Sequence, residues 1–130
     1  MGRGVPATCG VASGSPKNPA VGLLGDDGML FAIQGLVIAA KYQIPTVLVV
    51  LSNAGYESIR GSVRAWRKRV APEMSAANCA RYDIGSVCFS KLASVFGISA
   101  QRITTPTGIR PAIASVPSED AKRRSNKELQ

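Results

Sequence analysis

The sequence predicts an α/β fold in which a parallel sheet is flanked by helices. Three runs of residues carry that expectation. The apolar stretch "PAVGLLG" (19–25) has strand length and is followed by "GMLFAIQGLVIAAKY" (28–42), a helical pattern with almost no polar face. A third run, "IPTVLVVLS" (44–52), is β-branched and apolar at successive positions, the pattern of a parallel strand buried on both faces. Residues 19–52 therefore read as a β-α-β unit with the right-handed crossover such units adopt.

Composition sets the frame. The chain has 130 residues, one domain's worth, and 45% are hydrophobic, enough for a core. Its longest apolar run has strand length, so no membrane partner is expected. No apolar leader opens the chain, and a cytoplasmic or organellar location is expected. Histidine is absent, which removes the commonest general base and any Ser-His or Cys-His dyad. Cys9, Cys79 and Cys88 form no C-x-x-C pair, so they read as buried or incidental thiols rather than a zinc or redox site.

The remaining elements follow in order. Residues 1–18 are rich in Gly, Pro, Ala and Ser and read as a turn, a short helix of small residues and a loop. Residues 53–60 read as a turn, and 59–71 as a basic amphipathic helix. On that helix Ile59, Val63, Trp66 and Val70 fall on one face, opposite a solvated side bearing Arg60, Arg64, Arg67, Lys68 and Arg69. Residues 72–83 fit no element. "IGSVCFSKLASVFG" (84–97) reads as a helix with Val87, Leu92, Val95 and Phe96 as apolar positions and Gly97 as its stop. "SAQRITT" (99–105) reads as a third strand, and "TGIRPAIASV" as a short helix that Pro111 begins. Residues 1–116 are expected to form the domain, and 117–130 read as a polar tail expected to be disordered.

The net charge of +8 comes from the basic helix and from "DAKRRSNKELQ". Such charge can bind nucleic acid, but a solvated helix face and a polar tail explain it as well, and no nucleic-acid partner is expected.

Chemistry concentrates at two turns. "GDDG" ends the first strand and "SNAG" the second, and in a parallel sheet both carboxyl ends lie on one edge, where ligands bind. If the strands are neighbours, Asp26 meets Asn53 there. A carboxylate, an amide oxygen and a nearby carbonyl make a hard oxygen site suited to Mg²⁺, whose coordination phosphate oxygens and water usually complete. Helix N-termini add free N–H groups. The plainer alternative is that Asp26 caps the following helix and Asn53 caps a turn.

"GDDG" followed by "SNAGY", with Asn53 27 residues after Asp26, resembles the thiamine diphosphate motif, in which a Gly-Asp-Gly run precedes paired asparagines by some two dozen residues. "LFAIQGLVIAAKYQIPTVLVVLSNAGYESIR" is similar to the corresponding core of acetolactate synthases and related 2-oxoacid decarboxylases. "MGRGVPATCG" resembles their glycine-rich stretch, and "LASVFGISAQRITTP" the segment after the motif. Asp27 stands where the short motif has Gly, Ser52 where the first asparagine stands, and Gly35 where a Glu is common.

The resemblance implies a thiamine diphosphate-binding fold, incomplete at both ends. It implies that Asp26 and Asn53 ligate Mg²⁺ through their side chains and Gly55 through its carbonyl. Gly25 belongs to the diphosphate-binding turn, the amides around Asp27 and Gly28 hold the diphosphate, and Ala54 and Tyr56 flank it. Met1 matches the bulky apolar residue that keeps the cofactor bent. No catalytic side chain is assigned. The glutamate that activates the pyrimidine lies on a separate pyrimidine-binding domain, contributed by a partner subunit, so a homo-oligomer of the full-length enzyme is expected. The implied activity is decarboxylation or carboligation of 2-oxoacids, a lyase or transferase chemistry that this chain alone does not complete. A non-catalytic association module is the other reading.

Overall fold

The computed structural model describes residues 2–15, 18–70, 72–73 and 82–116. Met1, Cys79, most of 72–83 and the tail 117–130 lie outside the described residues, and so do the expectations made for them.

The chain runs α1 (Gly4–Gly14), β1 (Ala20–Gly25), α2 (Asp26–Leu30), α3 (Gly35–Lys41), β2 (Thr46–Leu51), α4 (Glu57–Val70), α5 (Phe89–Val95), a 3₁₀ turn (Pro106–Gly108) and α6 (Ile109–Ala114). β1 and β2 pair in parallel, from Ala20 opposite Thr46 to Gly25 opposite Leu51. The β-α-β unit read from the sequence is therefore present, and its register brings the ends of both strands level. Gly25 and Leu51 sit side by side, so the turns that follow them leave from one edge.

α1 buries Val5, Thr8, Cys9 and Ala12, the i, i+3, i+4, i+7 stripe of an amphipathic helix. The buried Thr8 hydroxyl donates to the Gly4 carbonyl at 2.8 Å, so it enters the core satisfied. The core joins Val5 and Cys9 of α1 to Met29, Ala32, Leu36 and Ala39, with Leu24, Leu48 and Val50 of the sheet and Phe89 and Phe96 packed against it.

The single helix expected over 28–42 is two short helices. The connection is tightened: the N–H groups of Ala32, Gly35, Leu36 and Val37 each donate to the carbonyl three residues back, at 2.9–3.2 Å. This keeps Met29, Ala32, Leu36 and Ala39 on one buried side. The first helix also begins at Asp26, ahead of the expected Gly28.

Three further expectations are corrected. Residues 99–105 form no strand: they have no ladder partner among the described residues, and the Gln101 side chain turns to the Ala112 carbonyl of α6 at 3.4 Å. Residues 84–88 are not helical. Gly85 takes a φ of +73°, outside the helical region, and Val95 is 78% exposed. Pro111 is the third residue of α6 rather than its first, and Pro106 opens the 3₁₀ turn before it.

The stop at Gly97 is present as expected. Gly97 has a φ of +69°, its N–H donates to Ser94, and the Ile98 N–H reaches back to Ala93, the paired bonds of a Schellman motif.

β2 is not buried on both faces. Thr46–Val50 are half-buried, and Val21 and Leu23 of β1 are 66% and 67% exposed. The described helices cover one face of the sheet and leave the other open. α4 keeps its amphipathic pattern but buries none of its residues: Ile59 and Val63 are half-buried, and Trp66 and Val70 are exposed. Among the described residues no helix is long and apolar enough to cross a membrane.

Candidate functional site

The two turns meet as their register requires. Asp26 is the first residue after β1 and is 1% exposed. Its Oδ1 accepts the N–H of Asp27 at 2.9 Å, and its Oδ2 accepts the N–H groups of Asn53 and Ala54 at 2.9 and 2.7 Å. A buried carboxylate is tolerated because three backbone donors solvate it in place of water. Asp26 is therefore no mere helix cap: the N-cap of α2 is Gly25, and Asp26 spans the two strand ends.

The turn after β2 is built around Ala54, which takes the left-handed conformation at φ +62°. Asn53 Oδ1 accepts the Gly55 N–H at 3.2 Å, an Asx-turn that holds its amide oxygen at the exposed edge. The Gly55 carbonyl accepts the N–H of Glu57 at 2.9 Å, tying the turn to the start of α4. Gly55 is buried, and a Cβ there would collide with the Arg60 guanidinium and lie 2.5 Å from the Tyr82 carbonyl oxygen, so only glycine fits without displacement.

Asp27 folds onto its own turn. Its Oδ1 accepts the Gly28 N–H at 2.7 Å. The amides of Asp27 and Gly28, to which the family pattern gives the diphosphate, are thus each engaged by a carboxylate in this chain. Tyr56 is half-buried and its ring lies 6.3 Å from that of Phe31, tilted by 56°. Gly25, Asp26, Asp27, Gly28, Asn53, Ala54, Gly55 and Tyr56 are all at this edge. Met1 lies outside the described residues.

The donors fit a hard divalent cation in kind. Asp26 Oδ1 accepts a single hydrogen bond, and an ionised carboxylate has about four acceptor sites in all, so capacity remains there. The Asn53 amide oxygen and the Gly55 carbonyl have second lone pairs. Among the described residues no group of three His, Cys, Asp or Glu side chains is placed to hold a metal ion.

Reading the sequence missed three residues here. Periodicity puts Arg60 on the solvated side of α4, yet its side chain is 17% exposed and lies against Gly55. Glu57 pairs with Arg60 at 3.3 Å and with Arg64 at 3.1 Å. Asp83 forms an isolated antiparallel bridge with Gly55 and pairs with Arg60 at 3.1 Å. Only the i, i+3 spacing of Glu57 and Arg60 was visible in the sequence. Asp83 lies in a stretch with no readable pattern.

Fold and site together define an α/β domain whose two strand-end turns are gathered at the carboxyl edge of a parallel sheet. The family model described as "Thiamine pyrophosphate enzyme, C-terminal TPP binding domain" matches residues 1–123. The chain belongs to that family. It is 31% identical over 114 residues to a glyoxylate carboligase of Escherichia coli O157:H7, covering 86% of this chain and 19% of that protein. It is 26% identical to a benzoylformate decarboxylase of Pseudomonas aeruginosa, covering 87% of this chain and 20% of that one. The acetolactate synthase large subunit of Pyropia yezoensis is 29% identical, with 87% of this chain and 18% of that protein covered. Among solved structures, the thiamine diphosphate-dependent 4-hydroxybenzoylformate decarboxylase of Rhodococcus jostii RHA1 superposes with a TM-score of 0.76 at 29% identity, over 93% of this chain and 21% of that one. The chain spans about a fifth of the length of these relatives.

Proposed function

We propose that this chain binds the diphosphate of thiamine diphosphate through Mg²⁺, as the cofactor-holding part of an enzyme acting on 2-oxoacids by decarboxylation or carboligation. The observation that carries the reading is the buried Asp26 carboxylate, which accepts N–H groups from the turn after each strand and so locks the two motif segments into one edge. Asp26, Asn53 and the Gly55 carbonyl would hold the cation. The Gly25–Gly28 and Asn53–Tyr56 turns would shape the diphosphate pocket. When bound, the thiazolium supplies the carbanion-stabilising chemistry. This chain's residues bind and orient it. No side chain here is assigned to catalysis, so activity would require a complementary pyrimidine-binding domain or subunit, in a homo-oligomeric enzyme.

Calorimetric titration of thiamine diphosphate into the chain, with and without Mg²⁺, tests this. Mg²⁺-dependent binding, alone or with a pyrimidine-binding domain added, is the expected result. No binding in either condition ends the cofactor reading. A non-catalytic association module would then remain, favoured by the exposed Val21, Leu23 and Trp66.

A further inference from the structure

The Asn53–Tyr56 turn does not stand alone at the edge. A second segment, residues 82–84, runs antiparallel beside it. The Tyr56 N–H donates to the Tyr82 carbonyl at 2.9 Å, and the Ile84 N–H donates to the Ala54 carbonyl at 3.2 Å. Between these bonds Gly55 faces Asp83. The strap therefore grips the turn by the backbone on both sides of the one residue assigned a carbonyl role at the cation.

One side chain joins the strap to the helix that follows the turn. Arg60 Nη2 lies 3.1 Å from Asp83 Oδ1, without an aligned hydrogen bond, so the pairing is Coulombic. Its Nη1 lies 3.3 Å from Glu57 Oε2. The Arg60 N–H donates to the Tyr56 carbonyl at 2.9 Å, so the same residue is anchored in the turn by its backbone. The guanidinium occupies the space a Cβ of Gly55 would need. Turn, strap and helix thus converge on a single cation, which is mostly withdrawn from water.

We propose that Arg60 and Asp83 are positioning residues for the cofactor site. Their ion pair clamps the 82–84 strap onto the Asn53–Tyr56 turn and sets the orientation of the Asn53 amide and the Gly55 carbonyl. Neither residue touches the cofactor; both act through the turn. This rests on the assignment of that turn to Mg²⁺-diphosphate binding, but the clamp itself is a property of the free chain. It predicts that the positive charge at position 60, more than the shape of the fork, is what counts, because the contact with Asp83 is not an aligned hydrogen bond.

Three variants of the full chain test it: Arg60→Gln, Arg60→Lys and Asp83→Asn. Two quantities are read, amide hydrogen exchange at Tyr56 and Ile84 without ligand, and the affinity for thiamine diphosphate with Mg²⁺. Arg60→Gln and Asp83→Asn should each raise exchange at both amides and weaken binding by roughly fivefold, the scale of one partly exposed ion pair. Arg60→Lys should keep both close to the parent chain. Loss of a merely structural arginine would lower the urea midpoint and speed no exchange selectively, so the midpoint is read in parallel and should move little in Asp83→Asn. Unchanged exchange at Tyr56 and Ile84 in Asp83→Asn overturns the clamp. So does Arg60→Lys behaving like Arg60→Gln. If the parent chain binds no cofactor, alone or with a pyrimidine-binding domain added, the cofactor reading fails and the clamp is judged on exchange alone. If the parent binds and exchange changes while affinity does not, the clamp exists but does not position the site, and the proposal falls.

Discussion

The Asp26 carboxylate and the backbone of Asn53, 27 residues later, are held together by a 2.9 Å hydrogen bond in which the Asn53 N–H donates to Oδ2. The neighbouring Ala54 N–H donates to the same oxygen at 2.7 Å. One buried side chain therefore sets the distance between the two motif turns, whatever ligand they hold.

Asp26→Ala should remove both cofactor binding and stability. Three backbone donors would lose their acceptor, and each buried, unsatisfied donor costs about 1–3 kcal/mol. Asn53→Ala should separate the two effects. Its amide oxygen makes one local bond at an exposed position, so the urea midpoint should fall far less while Mg²⁺-dependent binding is lost. Unaltered affinity in Asn53→Ala would refute its role as a ligand.

Asp27→Gly should bind thiamine diphosphate with Mg²⁺ as well as the parent chain or more tightly. The change frees the Gly28 N–H from the Asp27 carboxylate and removes a negative charge beside an anionic guest. A large loss of affinity, measured by calorimetry, would move the metal role from Asp26 to Asp27.

Gly55→Ala should weaken cofactor binding and the fold together. The new methyl would press on the Tyr82 carbonyl, which is backbone and cannot simply swing away. Overpacking of this kind costs about 1–3 kcal/mol. A urea midpoint equal to that of the parent would mean that the strap yields easily.

Cys88 should alkylate before Cys9. The Ser90 hydroxyl and then the Lys91 backbone lower the pKa of the exposed Cys88 thiol, so at a given pH more of it is thiolate. Burial raises the pKa of Cys9 and also shields it. Iodoacetamide labelling at about pH 8, below the usual thiol pKa of about 8.5, read by peptide mass mapping, should show that order. Faster labelling of Cys9 would contradict the burial of α1 against the core.

Local patterns in this sequence had local causes, and those were legible. β1 and β2 declared themselves by short apolar runs, β-branched in β2, α1 by small residues between turn formers, and the stop of α5 by a glycine whose positive φ any other residue adopts at a cost. The Asp26–Asn53 pairing was legible as well, because a parallel β-α-β unit must bring its strand ends to one edge.

What stayed hidden depends on partners distant in the chain. "SAQRITT" has a strand's composition but no strand, because a ladder needs a neighbour and its Gln101 is drawn to α6. Arg60 belongs by periodicity to a solvated face, yet it is withdrawn beneath the turn because Asp83 and Glu57 supply the opposite charge. By itself the sequence determined the class of fold, the motif turns and the residues gathered at their shared edge, since spacing and side-chain chemistry are written in the chain. Only the tertiary structure decided that residues 82–84 strap the Asn53–Tyr56 turn through an ion pair at Arg60. That contact joins segments more than twenty residues apart, and no local periodicity records it.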